Sequence, residues 1–98
     1  MSKYLVYWEL NDSNLPSDPK ERATIGIKLD QMVKQEINEG KVNDWGVFID
    51  GDSGYAVMEG NSADLYEDFY RYKPYINFEV NEVLSIDQAL KTATSRMK

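Results

Sequence analysis

The sequence predicts an α+β domain whose elements run β-α-β-β-α-β-α. Three observations carry that prediction. Short runs rich in aromatic and β-branched residues alternate with longer stretches whose apolar residues recur at helical spacing. Helix-start signals stand in front of the helical stretches, most clearly Asp18-Pro19-Lys20-Glu21 and Ser85-Ile86-Asp87-Gln88. Mid-chain, two strand-like runs flank Asp50-Gly51-Asp52-Ser53-Gly54, a stretch made of turn-forming residues.

Tyr4 to Leu10 reads as strand one, with Tyr4, Val6 and Trp8 on one face and Leu5, Tyr7 and Glu9 on the other. Both faces are apolar enough to be covered, which suits an inner strand. Asn11 to Ser17 is a polar loop. Asp18 then caps a helix, Pro19 suits its first position, and Ile25, Leu29, Met32, Val33 and Ile37 form its apolar stripe. Gly40 is the stop signal. Gly26 weakens this helix and marks close packing on the sheet.

Strand two is read from Trp45 to Ile49 and strand three from Tyr55 to Glu59. Asn61 or Ser62 caps a second helix that runs to about Arg71, with Leu65, Phe69 and Tyr72 as its buried stripe. Pro74 ends it. Strand four, Ile76 to Val80, alternates apolar and polar residues. A short terminal helix runs from the Ser85 cap to about Ala93, and the tail from Thr94 frays. With no repeat, linker or low-complexity stretch, residues 1–98 read as a single domain.

This order is that of the ferredoxin-like split βαβ pattern. Right-handed crossovers give the antiparallel sheet order 4-1-3-2, with both long helices on one face. The helix-covered face is assigned Tyr4, Val6, Trp8, Val47, Ile49, Ala56, Met58, Ile76, Phe78 and Val80. The open face then carries Leu5, Tyr7, Glu9, Phe48, Tyr55, Val57, Glu59, Asn77 and Glu79. Its apolar members form a patch on the order of several hundred Å2, the size that marks an interaction surface. The simplest cover is a second copy, sheet against sheet, so a two-fold homodimer is expected.

Composition removes several function classes. The 98 residues include no cysteine and no histidine, which excludes disulfides, thiolate nucleophiles, His-liganded metals, an axial haem histidine and His-based triads. A net charge of −6 disfavours nucleic acid and anionic membrane surfaces as partners. No apolar run approaches the ~20 residues that a membrane span needs. Met1-Ser2-Lys3 leads directly into a strand with no secretory h-region, so a cytoplasmic protein is expected.

Three segments resemble a family of short bacterial and archaeal domains of unknown function within the dimeric α+β barrel superfamily. They are Tyr4-Leu5-Val6-Tyr7-Trp8-Glu9, then Gly54-Tyr55-Ala56-Val57-Met58-Glu59 with Ala63-Asp64-Leu65-Tyr66, and Phe78-Glu79-Val80-Asn81-Glu82-Val83-Leu84. Glu82 stands where that family's pattern has a proline. The resemblance implies two sheets closed on each other into a dimeric barrel, and it lends no activity. The wider superfamily includes small-molecule oxygenases, isomerases and haem enzymes, and its histidine-dependent chemistries have no counterpart here.

The sharpest chemical expectation concerns Glu9, Glu59 and Glu79, on three neighbouring strands of the open face. Carboxylates enclosed in an apolar barrel lose hydration and gain basicity, which suits acid–base work on a small molecule. Tyr7, Tyr55, Asn77 and Phe48 are the accompanying ligand contacts. The plainer reading places the three glutamates near strand ends, in solvent or paired with lysines. Asp50-Gly51-Asp52-Ser53-Gly54 resembles the start of a calcium loop, but the fifth loop position lacks an Asp and the twelfth is Asn61, so the hairpin reading prevails. Gly54 to Glu59 partly matches an RNA-binding strand, but Ser53 and Gly60 replace its basic and aromatic ends. Tyr66, Tyr70, Tyr72 and Tyr75 read as packing against the sheet and terminal helix, with a pocket rim or partner surface as the alternative.

No phosphate-cradling loop and no activated serine are visible, and no metal or cofactor is implied. The functional expectation is a homodimer that binds a small apolar or aromatic molecule, between sheet and helices or in the barrel, and turns it over without a cofactor if it acts as an enzyme. The competing expectation is a structural or regulatory module whose open face only dimerises or binds another protein.

Overall fold

Strand β1 (Ser2–Leu10) fixes the two faces of the sheet. Successive side chains point to opposite sides of a strand, and here Tyr4, Val6 and Trp8 are buried while Lys3, Tyr7 and Glu9 are exposed. The structure is a computed structural model that describes residues 2–97. β1 lies inside an antiparallel sheet of order β2-β3-β1-β4, formed with β2 (Val42–Val47), β3 (Ser53–Gly60) and β4 (Ile76–Val83). This is the expected 4-1-3-2 order read from the other edge. Helices α1 (Pro19–Asn38) and α2 (Ser62–Tyr70) cover one face, and α3 (Ile86–Arg96) follows β4.

The caps act where the sequence places them. The Asp18 carboxylate accepts from the Glu21 N–H at 3.0 Å, and Asn61 Oδ1 accepts from the Asp64 N–H at 2.9 Å. Ser85 and Gln88 form a reciprocal capping box. At the far end of α1, Gly40 takes φ +78°; its N–H bonds the Ile37 carbonyl and the Lys41 N–H bonds the Glu36 carbonyl. That is a Schellman stop, and it requires the left-handed conformation that glycine adopts most cheaply.

Two apolar clusters fill the space under the helices. Tyr4, Val6, Val42, Ala56, Met58 and Leu65 make one; Trp8, Leu29, Tyr72 and Ile76 make the other, and Trp45 and Phe78 touch both. Two glycines of the hairpin admit aromatic rings. A Cβ on Gly54 would lie 2.6 Å from the Trp8 indole and 2.0 Å from the Gly46 carbonyl oxygen, and one on Gly46 would lie 2.4 Å from the Tyr55 ring.

Several expectations need correction. Strand two begins at Val42 and ends at Val47, not from Trp45 to Ile49. An irregularity between Val42 and Asp44 shifts its register and lets Val42 enter the core. After Val47 the Phe48 N–H bonds the Ser53 carbonyl and the Gly51 N–H bonds the Phe48 carbonyl, so the chain turns early. Ile49 is therefore fully exposed instead of buried, and Val47, at the end of an edge strand, is 49 % exposed. Val80 shares the face of its β1 partner Val6 but is 42 % exposed. Gly26 does not mark close packing, since an added Cβ would find nothing within 4 Å. Of the tyrosines, Tyr72 is buried and Tyr75 half-buried, whereas Tyr66 and Tyr70 are exposed.

β4 continues to Val83 and α3 to Arg96, past the Thr94 expected to fray. None of the residues of α3 is buried, and Ile86, Leu90 and Met97 form an exposed apolar line. No helix among the described residues is long and apolar enough to cross a membrane.

Candidate functional site

Helical spacing brings Leu29, Val33 and Glu36 to one side of α1, facing the sheet. The first two are the expected stripe. Glu36 is the surprise: it is 1 % exposed, whereas Ile37, assigned to the stripe, is 43 % exposed. Between this side of α1, the inner side of α2 and the sheet lies a cavity of about 210 Å3. Trp8 and Trp45 form part of its floor, their rings stacked 5.5 Å apart at 7°. Phe69 and Phe78, 4.6 Å apart, and Tyr72 add further aromatic walls. Gly26 opens space in the α1 wall, and the exposed Asp30 and Gly51 also border the cavity.

The polar groups of this cavity are few. The Tyr72 hydroxyl donates to Glu36 Oε1. Glu36 Oε2 and Trp8 Nε1 are both buried and have no hydrogen-bond partner. Burial pushes the Glu36 carboxyl above its ordinary range, and the nearby Asp68 carboxylate pushes the same way; the Tyr72 hydroxyl and the Arg71 charge oppose them. Burial likewise raises the Tyr72 phenol, followed by its hydrogen bond to Glu36. Arg71 lies 3.9 Å from Asp68 and is half exposed, so that pairing sits at the solvent edge. A buried carboxyl with a raised pKa and a free oxygen can accept a hydrogen bond or exchange a proton with a bound molecule.

The residues expected to form a site lie on the opposite, open face, and the register separates them into two groups. Tyr7 lies between Tyr55 and Glu79, while Glu9 lies between Ser53 and Asn77. Tyr7, Glu9, Phe48, Asn77 and Glu79 share one open depression, with Tyr7 43 % and Phe48 46 % exposed. Glu59 is not among them. It pairs with Lys3, six residues along β3 from Ser53, roughly 20 Å away, and accepts from Asn43 Nδ2 at 2.9 Å. The Tyr55 hydroxyl donates to Asp44 Oδ2 at 3.0 Å, and that bond raises its pKa. The Asp50 carboxylate accepts from the Asp52 N–H at 3.0 Å and so serves the turn. Among the described residues, no three carboxylates gather as a metal cage.

Sequence reasoning missed Glu36 and Asp68. The signal for Glu36 was present: it stands seven residues after Leu29 and three after Val33, at a stripe position held by a charged residue. A family model matches residues 2–96, nearly the whole chain, and its description is that of a domain of unknown function. No curated protein matches the chain.

Proposed function

The chain belongs to DUF3303, a domain of unknown function, and from that premise we propose that it binds a small aromatic or apolar molecule in the cavity between sheet and helices, as a homodimer closed through the open sheet face in the manner of the dimeric α+β barrels. One observation carries the binding reading. Glu36 Oε2 and Trp8 Nε1, one acceptor and one donor, are buried without partners on residues that line the same apolar cavity. Leaving a buried polar atom unpaired costs about 1–3 kcal/mol, and two on residues that line one cavity suit a site whose walls adjust so that a ligand pairs them. The size fits as well: an apolar cavity of about 150 Å3 holds benzene, so one of about 210 Å3 admits a single substituted ring. Acid–base turnover in this site would run through Glu36, the one carboxyl here that is fully enclosed.

The chain's only two tryptophans both line the cavity, so their emission reports occupancy. Titration with a panel of single-ring molecules is expected to shift or quench that emission and to raise the melting temperature. A ligand at a hundred times its Kd stabilises by about 2.7 kcal/mol. Unchanged emission and unchanged melting across the panel at millimolar concentration would sink the reading.

A further inference from the structure

We infer that the ligand of this cavity carries a positively charged nitrogen, an alkylammonium group on a ring-sized apolar body, seated against the carboxylates of Glu36 and Asp68 and the aromatic walls. The inference rests on the cavity being a binding site and adds the chemical class of what binds.

The charge balance of the lining carries it. Asp30, Glu36 and Asp68 border the cavity and, among the described residues, no lysine or arginine does. Asp68 is close enough to Glu36 for the two carboxyls to share a proton. Arg71, 3.9 Å from Asp68, is half exposed, and among the described residues no donor reaches Glu36 Oε2. Two neighbouring acids in a low-dielectric space either hold a proton between them or attract a cation. The described residues offer no such cation inside.

The walls narrow the choice. Trp8, Trp45, Tyr72 and Phe78 present ring faces and edges around the same space, and ring faces attract ammonium groups as well as apolar bodies. A metal ion is a poor fit, because calcium and magnesium need six or more oxygen ligands and no three carboxylates gather among the described residues. A neutral alcohol could donate to Glu36 Oε2 but would bring no charge to balance the two acids. A carboxylate ligand would add a third negative charge. The net charge of −6 also favours the approach of cations over anions.

The test uses three probes of nearly equal size on the full chain at low salt: 2-phenylethylamine, 2-phenylethanol and 3-phenylpropionate, each titrated against tryptophan emission. The amine is expected to bind at least about tenfold more tightly than the alcohol, the gain typical of a buried charged hydrogen bond, and the carboxylate most weakly. In Glu36→Gln the ratio of amine to alcohol affinity is expected to fall to about threefold or less. Alcohol and amine binding equally to the wild-type protein would overturn the inference and leave the cavity reading intact. A preference for the amine that persists undiminished in both Glu36→Gln and Asp68→Asn would also overturn it, by placing the ammonium elsewhere. Three probes without effect would remove both.

Discussion

Glu36 is the residue at which packing and ionisation conflict. A carboxyl that leaves water favours its neutral form, and here burial raises the pKa from its ordinary 4.5, with Asp68 adding to it. The sign of the pH dependence follows. Between pH 4.5 and the raised native value, the folded chain binds more protons at this site than the unfolded chain, so the contribution of Glu36 to stability falls as pH rises through that window and is constant below it. Glu36→Gln, which cannot ionise, is expected to equal the wild type near pH 4 and to exceed it by on the order of 1 kcal/mol at pH 8. Urea melts at the two pH values check this; an equal difference at both would dismiss the account. The same residue marks a limit of sequence reading. Parity placed Tyr4, Val6 and Trp8 in the core, and the structure agrees. It passed over Glu36 because a charged residue is almost never fully buried, and chose the apolar Ile37 beside it.

Elements with local signals were legible, and elements set by distant contacts were not. The caps at Asp18 and Ser85 and the stop at Gly40 act as read, and of Asn61 and Ser62 it is Asn61 that caps α2; each signal depends on residues three or four apart. The start of β2 escaped because Val42-Asn43-Asp44 has little strand propensity and is drawn into the sheet by its pairing with Met58 and Val57. Its end escaped because the turn closes through Phe48 and Ser53, earlier than the apolar run suggests. Two glycines of the α1 region make a contrast that tests the helix itself. Gly26 has no neighbour within 4 Å of an added Cβ, so Gly26→Ala is expected to stabilise by about 0.5–1 kcal/mol through helix propensity. Gly40 sits at φ +78°, so Gly40→Ala is expected to cost about 1 kcal/mol or more even though space is free. Thermal melts of the two variants should move in opposite directions; a shift of the same sign would contradict the assignment.

At the scale of the whole molecule, the sheet order was legible because handedness rules leave few ways to connect these elements. The cavity was not, because its volume depends on how far α1 and α2 stand off the sheet, which no periodicity encodes. The open face remains the basis of the proposed dimer. Leu5, Tyr7, Tyr55 and Val57 lie side by side across β1 and β3, and Phe48 shares a depression with Tyr7. Native mass spectrometry at micromolar concentration is expected to give twice the chain mass, and Tyr7→Lys, at the centre of that face, to give the single-chain mass. A wild-type monomer would dismiss the dimer while leaving the cavity beneath the helices unaffected.

The terminal helix has a different significance. Residues Ile86–Arg96 bury no side chain, and an isolated helix of that length is marginal in water. Such a segment opens at little free-energy cost and independently of the sheet. Sequence drift there is nearly silent for folding, and so is a covalent label. A fluorophore attached on α3 would ride on the folded body as a passive passenger, which makes this end of the chain the natural handle for anchoring the protein to a surface while its interior is interrogated.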